Sequence, residues 1–534
     1  PFTLVPEVKG LAEADANAAI GAAGLVVAAT EQKTNATIPA GQAVKTDPAA
    51  GSEVQTGSAV TLTVSKGPKQ VSVPAIVGLA EADALATLAA AEVTPGARSE
   101  INDPAVPFGV VLSQDPPPGT VVIKDSPVAY VVSIGPPIQP RGVGGTLQNP
   151  TVSGQLDAVA ATIPTVRELP LGTVPYDAVG NADQKALLSP RSQIVHDPGS
   201  VAGEDKTLKR LGLLGPGDDL VSLLDRLYGQ DLSVAYQAGG GSLTVLNSLE
   251  KLTIGDEANA AREFGRTAVD QQIGISRVRV GDPAMGDQAL AGLALEQGDG
   301  TAVMLDWAAT NIALGNQAKV DDVIVPGDDG TLASMPQILQ REYNLPFLEG
   351  RLFVDRLREA GGWASVNNAW ASPPESTEQI LHPKLYPGDR PTSIDLGDLA
   401  GRLGAGWAEA WRETMGELRI AVWLADGQPG TQEGPKAPID LPRANAAAGW
   451  GGDRLVSLDG PDGTWAIVWQ TKWDGPEDVA QFVEAANAAI ADLPGAHAVL
   501  AADVSTGVSD PALVLLTSDP NTLANVQAAL GLAP

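Results

Sequence analysis

The sequence predicts an α+β, multidomain chain: two small repeats of a helix on a short sheet, then a large, mainly helical domain that ends in an α+β layer. Three observations carry this. A 68-residue unit is written twice at the N-terminus without a gap. All ten Trp residues lie between Trp307 and Trp473, so a second and larger core begins well after the repeats. From Glu417 onward, strand-like and helix-like runs alternate. A length of 534 residues agrees, since about 150 residues per domain gives three or four domains.

In the repeats, Gly10-Leu11-Ala12-Glu13-Ala14-Asp15-Ala16 returns as Gly78-Leu79-Ala80-Glu81-Ala82-Asp83-Ala84, and Asp47-Pro48 returns as Asp115-Pro116. The closing Ser65-Lys66-Gly67-Pro68 returns as Ser133-Ile134-Gly135-Pro136. Val5-Pro6 or Val73-Pro74 starts an extended segment, and the Ala-rich run that follows has helical spacing. A Pro/Gly turn at Asp47-Pro48-Ala49-Ala50-Gly51 then leads into the alternating strand Ala59 to Val64. The units are residues 1–68 and 69–136. Residues 137–154, rich in Pro, Gly, Thr and Asn, read as a linker.

In the remainder, Asp218 to Leu227 reads as an amphipathic helix and Leu232 to Leu246 as a hairpin around Gly239-Gly240-Gly241. Helices follow at Gly255 to Gln272, Gly286 to Thr310 and Phe347 to Trp370. The tail predicts strands at Leu418 to Leu424, Arg454 to Ser457, Thr464 to Thr471 and Ala498 to Asp503, with a helix from Pro476 to Leu493. The domains are therefore 155–415 and 416–534. Trp at helical spacing, as in Trp407 and Trp411, reads as core in preference to a carbohydrate platform.

The Val-Pro start, Gly-Leu helix entry, Asp-Pro-x-x-Gly turn and terminal Ser-x-Gly-Pro resemble the PASTA domain, in both copies and over residues 1–136. The resemblance implies an extracellular or cell-surface protein of a bacterium, with peptidoglycan as one partner class and a spacer or docking role as the preferred reading. The chain starts at Pro1, at the edge of the first repeat, which suggests removal of an N-terminal signal or anchor.

Composition bounds the chemistry. Without Cys there is no disulfide framework, thiol catalysis or thiolate metal site. No apolar run approaches the ~18 to 20 residues of a membrane helix, so no membrane span is expected in the given chain. A net charge of -30 argues against nucleic acid as a partner. Residues 1–136 carry -6 of it and the rest carries -24, so the acidity is spread along the chain. With no Asp-x-Asp-x-Asp loop of EF-hand spacing, solubilising surface charge is preferred to calcium binding, and Gly217-Asp218-Asp219 and Gly327-Asp328-Asp329 read as surface turns.

Three phrases in the large region resemble secreted zinc peptidases of the gluzincin type from high-GC bacteria. They are Tyr236-Gln237-Ala238-Gly239-Gly240-Gly241-Ser242-Leu243-Thr244-Val245, then Gly361 to Trp370 with Pro373 to Pro383, and Gly449-Trp450-Gly451-Gly452-Asp453-Arg454. The resemblance spans about residues 155–534. It implies a helix of the form His-Glu-x-x-His, where two imidazoles one turn apart hold Zn²⁺ and the Glu acts as general base. Here that stretch reads Arg262-Glu263-Phe264-Gly265-Arg266. The third ligand of the family, the Glu of a Glu-Gly-Asp-Ala phrase, falls on Gln297, although a one-residue shift would place Glu296 there. Guanidiniums stay cationic at working pH and offer no lone pair, so the site is expected to hold no zinc and no cofactor is implied. Glu263 is expected to pair with Arg262 or Arg266, an anion site being the less favoured alternative.

Only His196, His382 and His497 exist, none at the spacing of a helical ligand pair or beside a Gly-x-Ser-x-Gly elbow. His382 corresponds to a His of the family phrase and reads as a vestigial substrate-side residue or as a polar contact fixing the loop before Pro383. His196 and His497 read as surface residues. Three functions stay open. The first, preferred, is a non-catalytic binding or structural module, an inactive metallopeptidase homologue carried on PASTA units and partnered by a cell-envelope component. The second is a self-assembling filament or surface-layer subunit that binds other copies of itself. The third is a hydrolase with an unrecognised active site, for instance Glu263 with Asp299.

Overall fold

Each repeat is organised by one strand whose alternate residues are apolar. In the computed structural model, Ala59–Ser65 buries Val60, Leu62 and Val64 and lies between Val26–Lys33, to which it is parallel, and Ala43–Asp47, to which it is antiparallel. The helix Glu13–Ala22 closes this face with Ala16 and Ile20. The second repeat reproduces the arrangement. Pro127–Ser133 lies between parallel Thr94–Ile101 and antiparallel Val111–Asp115, under Ala84 and Leu88 of the helix Glu81–Ala90. A two-stranded ribbon accompanies each, Phe2–Leu4 with Glu53–Gln55 and Gln70–Ser72 with Val121–Ile123. Both Asp-Pro bonds of the repeated turn are cis.

The structure describes residues 1–79, 81–101, 110–133, 145–188, 194–229, 232–236, 241–275, 284–326, 330–425, 444–491, 493, 497–501 and 511–532. Within them the chain forms two compact units, Pro1–Pro137 and Ile138–Pro534. The Gly239-Gly240 part of the expected hairpin turn and the Gly327-Asp328-Asp329 turn lie outside the described residues.

The second unit corrects the expected linker. Gly145–Thr146 is a strand paired with Tyr176–Val179, and the helix Pro150–Ala160 starts inside residues 137–154. Asn149 and Pro150, composition typical of a loop, are here a helix start: the Asn149 side chain accepts the N–H groups of Thr151 and Val152, and Pro occupies a first-turn position where no N–H is needed. A four-stranded sheet follows in the order Gly145–Thr146, Tyr176–Val179, Leu243–Leu246, Val234–Tyr236, and the last two form the expected antiparallel hairpin. Against it packs the helix Ile254–Gln272; Gly286–Asn311 packs on that helix and Glu349–Ala371 on Gly286–Asn311, the last bent at Gly361-Gly362, where Gly362 takes φ +65°.

The C-terminal layer is a five-stranded antiparallel sheet in the order Ala408–Glu413, Trp450–Asp459, Trp465–Trp473, Pro511–Thr517, His497–Ala501. Its first strand precedes residue 416, so the layer begins earlier than expected. Leu418 to Leu424 is not a strand but part of the helix Gly416–Ala425. It is buried on nearly all sides, and a short run that is apolar apart from Arg419 carries no periodicity to separate helix from strand. The sheet is covered on both faces. Leu455, Ile467, Trp469, Val514 and Leu516 point to Trp423 and Phe482, whereas Val456, Leu458, Val468, Leu513 and Leu515 point to Leu399 and Val526.

Since each repeat encloses its own core, residues 1–137 produced alone are expected to unfold cooperatively in denaturant. Leu62→Ala or Leu88→Ala should each cost about 2–5 kcal/mol, the range for emptying a packed leucine site. A broad, non-cooperative transition of the parent would contradict this.

Candidate functional site

The helix Ile254–Gln272 is set by a capping box, Thr253 and Asp256 each satisfying the other's backbone N–H. Arg262, Glu263 and Arg266 follow on its middle turns, and all three are buried. Gly300 on the neighbouring helix makes the room: a Cβ there would stand 2.9 Å from Arg266 Cγ and 3.0 Å from Arg262 Cγ. The two guanidiniums then diverge. Arg266 Nη1 donates to Glu263 Oε2 at 2.6 Å and its Nη2 donates to Glu296 Oε1, so one cation joins the carboxylates of two helices. Glu263 Oε2 also accepts the Tyr236 N–H at 2.7 Å. Arg262 Nη2 donates to the carbonyls of Val323 and Ile324 at 2.8 and 2.6 Å, and its guanidinium lies over Phe347.

Burial works against charge on Arg266, but Glu263 and Glu296 outweigh it and hold the guanidinium above its ordinary value. The residue that meets Arg266 from the second helix is Glu296 and not Gln297. One position along a helix turns the side chain by about 100°, and it is the Glu296 carboxylate that accepts from Arg266 Nη2. One turn on, Asp299 accepts Arg167 Nε and Nη2 at 2.7 and 2.8 Å and Trp370 Nε1 at 2.8 Å, and Arg167 also donates to Asn367 and lies over Trp363. Glu263 and Asp299 are thus each engaged by an arginine inside the core.

His382 stands apart from this network. Half-exposed, its Nε2 is 2.8 Å from Glu417 Oε1, and that hydrogen bond raises the imidazole pKa. It follows the short helix Thr377–Leu381, which carries buried Glu378. His497 is exposed on its strand. His196 is not a surface residue: it is buried, Nδ1 lying 2.8 Å from Glu204 Oε1 and Nε2 3.4 Å from Glu342 Oε2. The helix Val201–Arg210 folds back over it and presents Glu204, which the local Asp/Pro composition did not reveal. Arg419 extends the group, with Nε donating to Glu342 at 2.5 Å and Nη1 3.4 Å from Glu413. This cluster had no sequence signal beyond isolated charges in apolar runs.

Comparison with known proteins places the repeats. Residues 3–66 and 71–133 match the PASTA domain family, and residues 404–529 match a domain of unknown function (DUF8575). The serine/threonine-protein kinase PknB of Mycobacterium tuberculosis is 34% identical over 158 residues, 29% of this chain and 24% of the kinase. The probable kinase PknB of Corynebacterium glutamicum is 32% identical over 133 residues, 24% of this chain and 20% of that protein. The chain thus spans about a quarter or less of these curated relatives. Among solved structures, the extracellular region of the Ser/Thr kinase PrkC from Staphylococcus aureus aligns at 25% identity and TM-score 0.23, over 24% of this chain and 47% of that one. A three-PASTA-domain structure from the same organism aligns at 23% identity and TM-score 0.23, over 30% and 78%. The chain carries two PASTA domains at its N-terminus. No helix among the described residues is long and apolar enough to cross a membrane.

Removing one member of the Arg266 group leaves buried charges facing each other. Arg266→Met is therefore expected to cost about 3–5 kcal/mol in denaturant unfolding, and the combined Glu263→Gln, Arg266→Met, Glu296→Gln variant to recover much of that loss. His196 supplies a pH test. Burial opposes its protonation, yet Glu204 and Glu342 prevail and its pKa is raised. A raised folded-state value means a contribution that is whole below the ordinary ~6.5 and is lost as pH climbs through the raised value. Unfolding free energy should accordingly fall as pH rises above that point, and His196→Gln should flatten the fall.

Proposed function

We propose that this chain is a non-catalytic, extracytoplasmic binding module. Two PASTA units dock or space it at the cell envelope, and a metallopeptidase-like domain without a metal site forms the binding body. The observation that carries the reading is the Arg266 guanidinium held between Glu263 and Glu296. A catalytic zinc of this type needs neutral imidazoles with free lone pairs and a glutamate free to take a proton from water. Here both imidazole positions are guanidiniums, which have donors only, and the glutamate accepts from Arg266 and the Tyr236 N–H. The donor set does not fit zinc.

The envelope part of the reading rests on the two PASTA matches. Peptidoglycan is the ligand class against which to test the N-terminal units. Full-length protein purified without chelator is expected to contain no stoichiometric zinc by elemental analysis and to leave peptide substrates intact. Bound zinc, or hydrolysis that Glu263→Gln abolishes, would overturn the non-catalytic assignment. Co-sedimentation with insoluble peptidoglycan tests the docking part, and complete recovery of the chain in the supernatant counts against a cell-wall ligand.

A further inference from the structure

Far from the arginine network in sequence, three carboxylates from separate places in the second unit meet at one point. Glu378 comes from the helix Thr377–Leu381, which the Ser376 side chain caps through the Gln379 N–H. Asp389 comes from the segment after that helix, anchored by its own N–H on the Leu385 carbonyl and by Gln379 Nε2 on its carbonyl. Asp474 directly follows the strand Trp465–Trp473, its N–H bonded to Gly449 O at 2.8 Å. One carboxylate oxygen of each lies within 4.8 Å of those of the other two. Oxygens bound to a common Ca²⁺ at about 2.3–2.6 Å stand at most about 5 Å apart, so these three fall within the span of one ion.

A second observation points to a ligand. Glu378 is only 2% exposed, and its Oε1 is fully buried with no hydrogen-bond partner among the described residues. A buried acceptor left so is destabilising, the more when charged. Glu417, beside it, shows the same condition at Oε2, while its Oε1 is taken by His382. No ion pair compensates Glu378, Asp389 or Asp474 among the described residues. Of the cations nearby, Lys472 Nζ reaches the Trp473 carbonyl at 3.3 Å and acts on Asp474 without forming an ion pair with it, Arg390 lies 3.4 Å from Glu375, and His382 holds Glu417. We propose that Glu378, Asp389 and Asp474 form a Ca²⁺ site that ties the Thr377–Leu381 helix and the segment after it to the end of the C-terminal sheet.

The all-oxygen donor set suits a hard ion. Asp474 is exposed and Asp389 half-exposed, which leaves one side open to the waters that complete six to eight ligands. Mg²⁺, with its stricter octahedron at about 2.0–2.1 Å, fits this spread of donors less well.

The test is calorimetric and thermal titration of chelator-stripped full-length protein with calcium chloride, with magnesium chloride as a parallel arm. One site of Kd on the order of 10⁻⁴ to 10⁻³ M and a calcium-dependent rise in Tm are expected. Asp474→Asn, at an exposed position that should not disturb folding, and Glu378→Gln should each weaken binding at least about tenfold, as loss of one charged ligand from a site tuned by ligand charge implies. Absence of heat and of any Tm shift up to about 10 mM calcium overturns the site. So does a shift that both variants retain, or magnesium binding as tightly as calcium. None of these outcomes bears on the zinc question, which concerns other residues.

Discussion

Taking an ionised side chain out of water costs several kcal/mol unless its partners go with it, and that constraint organises the interior of the unit Ile138–Pro534. Arg167, Arg262, Arg266 and Arg419 are all essentially inaccessible in a chain whose net charge is -30. Each is held by groups from another element: Arg167 by Asp299, Arg266 by Glu296, Arg262 by the Val323 and Ile324 carbonyls, Arg419 by Glu342. These pairs set the distances between helices. Gly298 and Gly350 allow one of these helices, Gly286–Asn311, to approach Glu349–Ala371 so closely that a Cβ at Gly298 would meet the Gly350 carbonyl at 2.2 Å. Charge pairing and close packing are thus one arrangement, in which a substitution on either side strands a charge or forces the helices apart.

The repeats lie at the opposite extreme, and that is why they were legible. Their landmarks are local: a Gly where the chain enters its helix, an Asp-Pro turn, and an alternating strand whose Val60, Leu62 and Val64 can only face inward together. Each landmark restricts its own backbone, so the fold can be read residue by residue. The long helices of the second unit were legible for another reason, since Ile254–Gln272 and Gly286–Asn311 are Ala-rich runs too long for a strand. Short elements with neighbours on every side were not. For Gly416–Ala425, which the sequence reads as a strand, and for the inner strand Pro511–Thr517, which it leaves unassigned, burial on nearly all faces erases the periodicity that identifies an element. The helix Pro520–Leu530, also unassigned, buries only Thr522 and Val526, and its start is marked by the Asp519 cap.

The candidate site was half legible. The spacing of Arg262 and Arg266 places them one turn apart in any helix, so their shared region needed no tertiary information. The partner did. Glu296 and Gln297 differ by one position, and only the rotation of Gly286–Asn311 about its axis decides which faces Arg266. Gly300 was a usable signal, because a glycine one turn beyond Glu296 provides room for two long arginine stems. Nothing local could bring His196 between Glu204 and Glu342, which are 138 residues apart in sequence, nor gather Glu378, Asp389 and Asp474 from three segments. Clusters of that kind exist only after the chain has folded.

Charge balance gives a physical reason why the arginine arrangement can stand where the resemblance would put a metal. A zinc ion with two neutral imidazoles and two glutamates sums to zero, two positive charges against two carboxylates. Two guanidiniums with Glu263 and Glu296 also sum to zero, so the low-dielectric interior sees no uncompensated charge in either case. What changes is where the positive charge sits and what it can do. A metal concentrates it at one point with an open coordination position, whereas Arg262 and Arg266 spread it over two planar groups whose hydrogen bonds run to carboxylates and carbonyls of the protein itself. On the reading proposed above, this exchange keeps the helices joined and places no metal electrophile at that position. The buried arginine network therefore gives this part of the domain a charge-balanced core that holds its helices together with no metal.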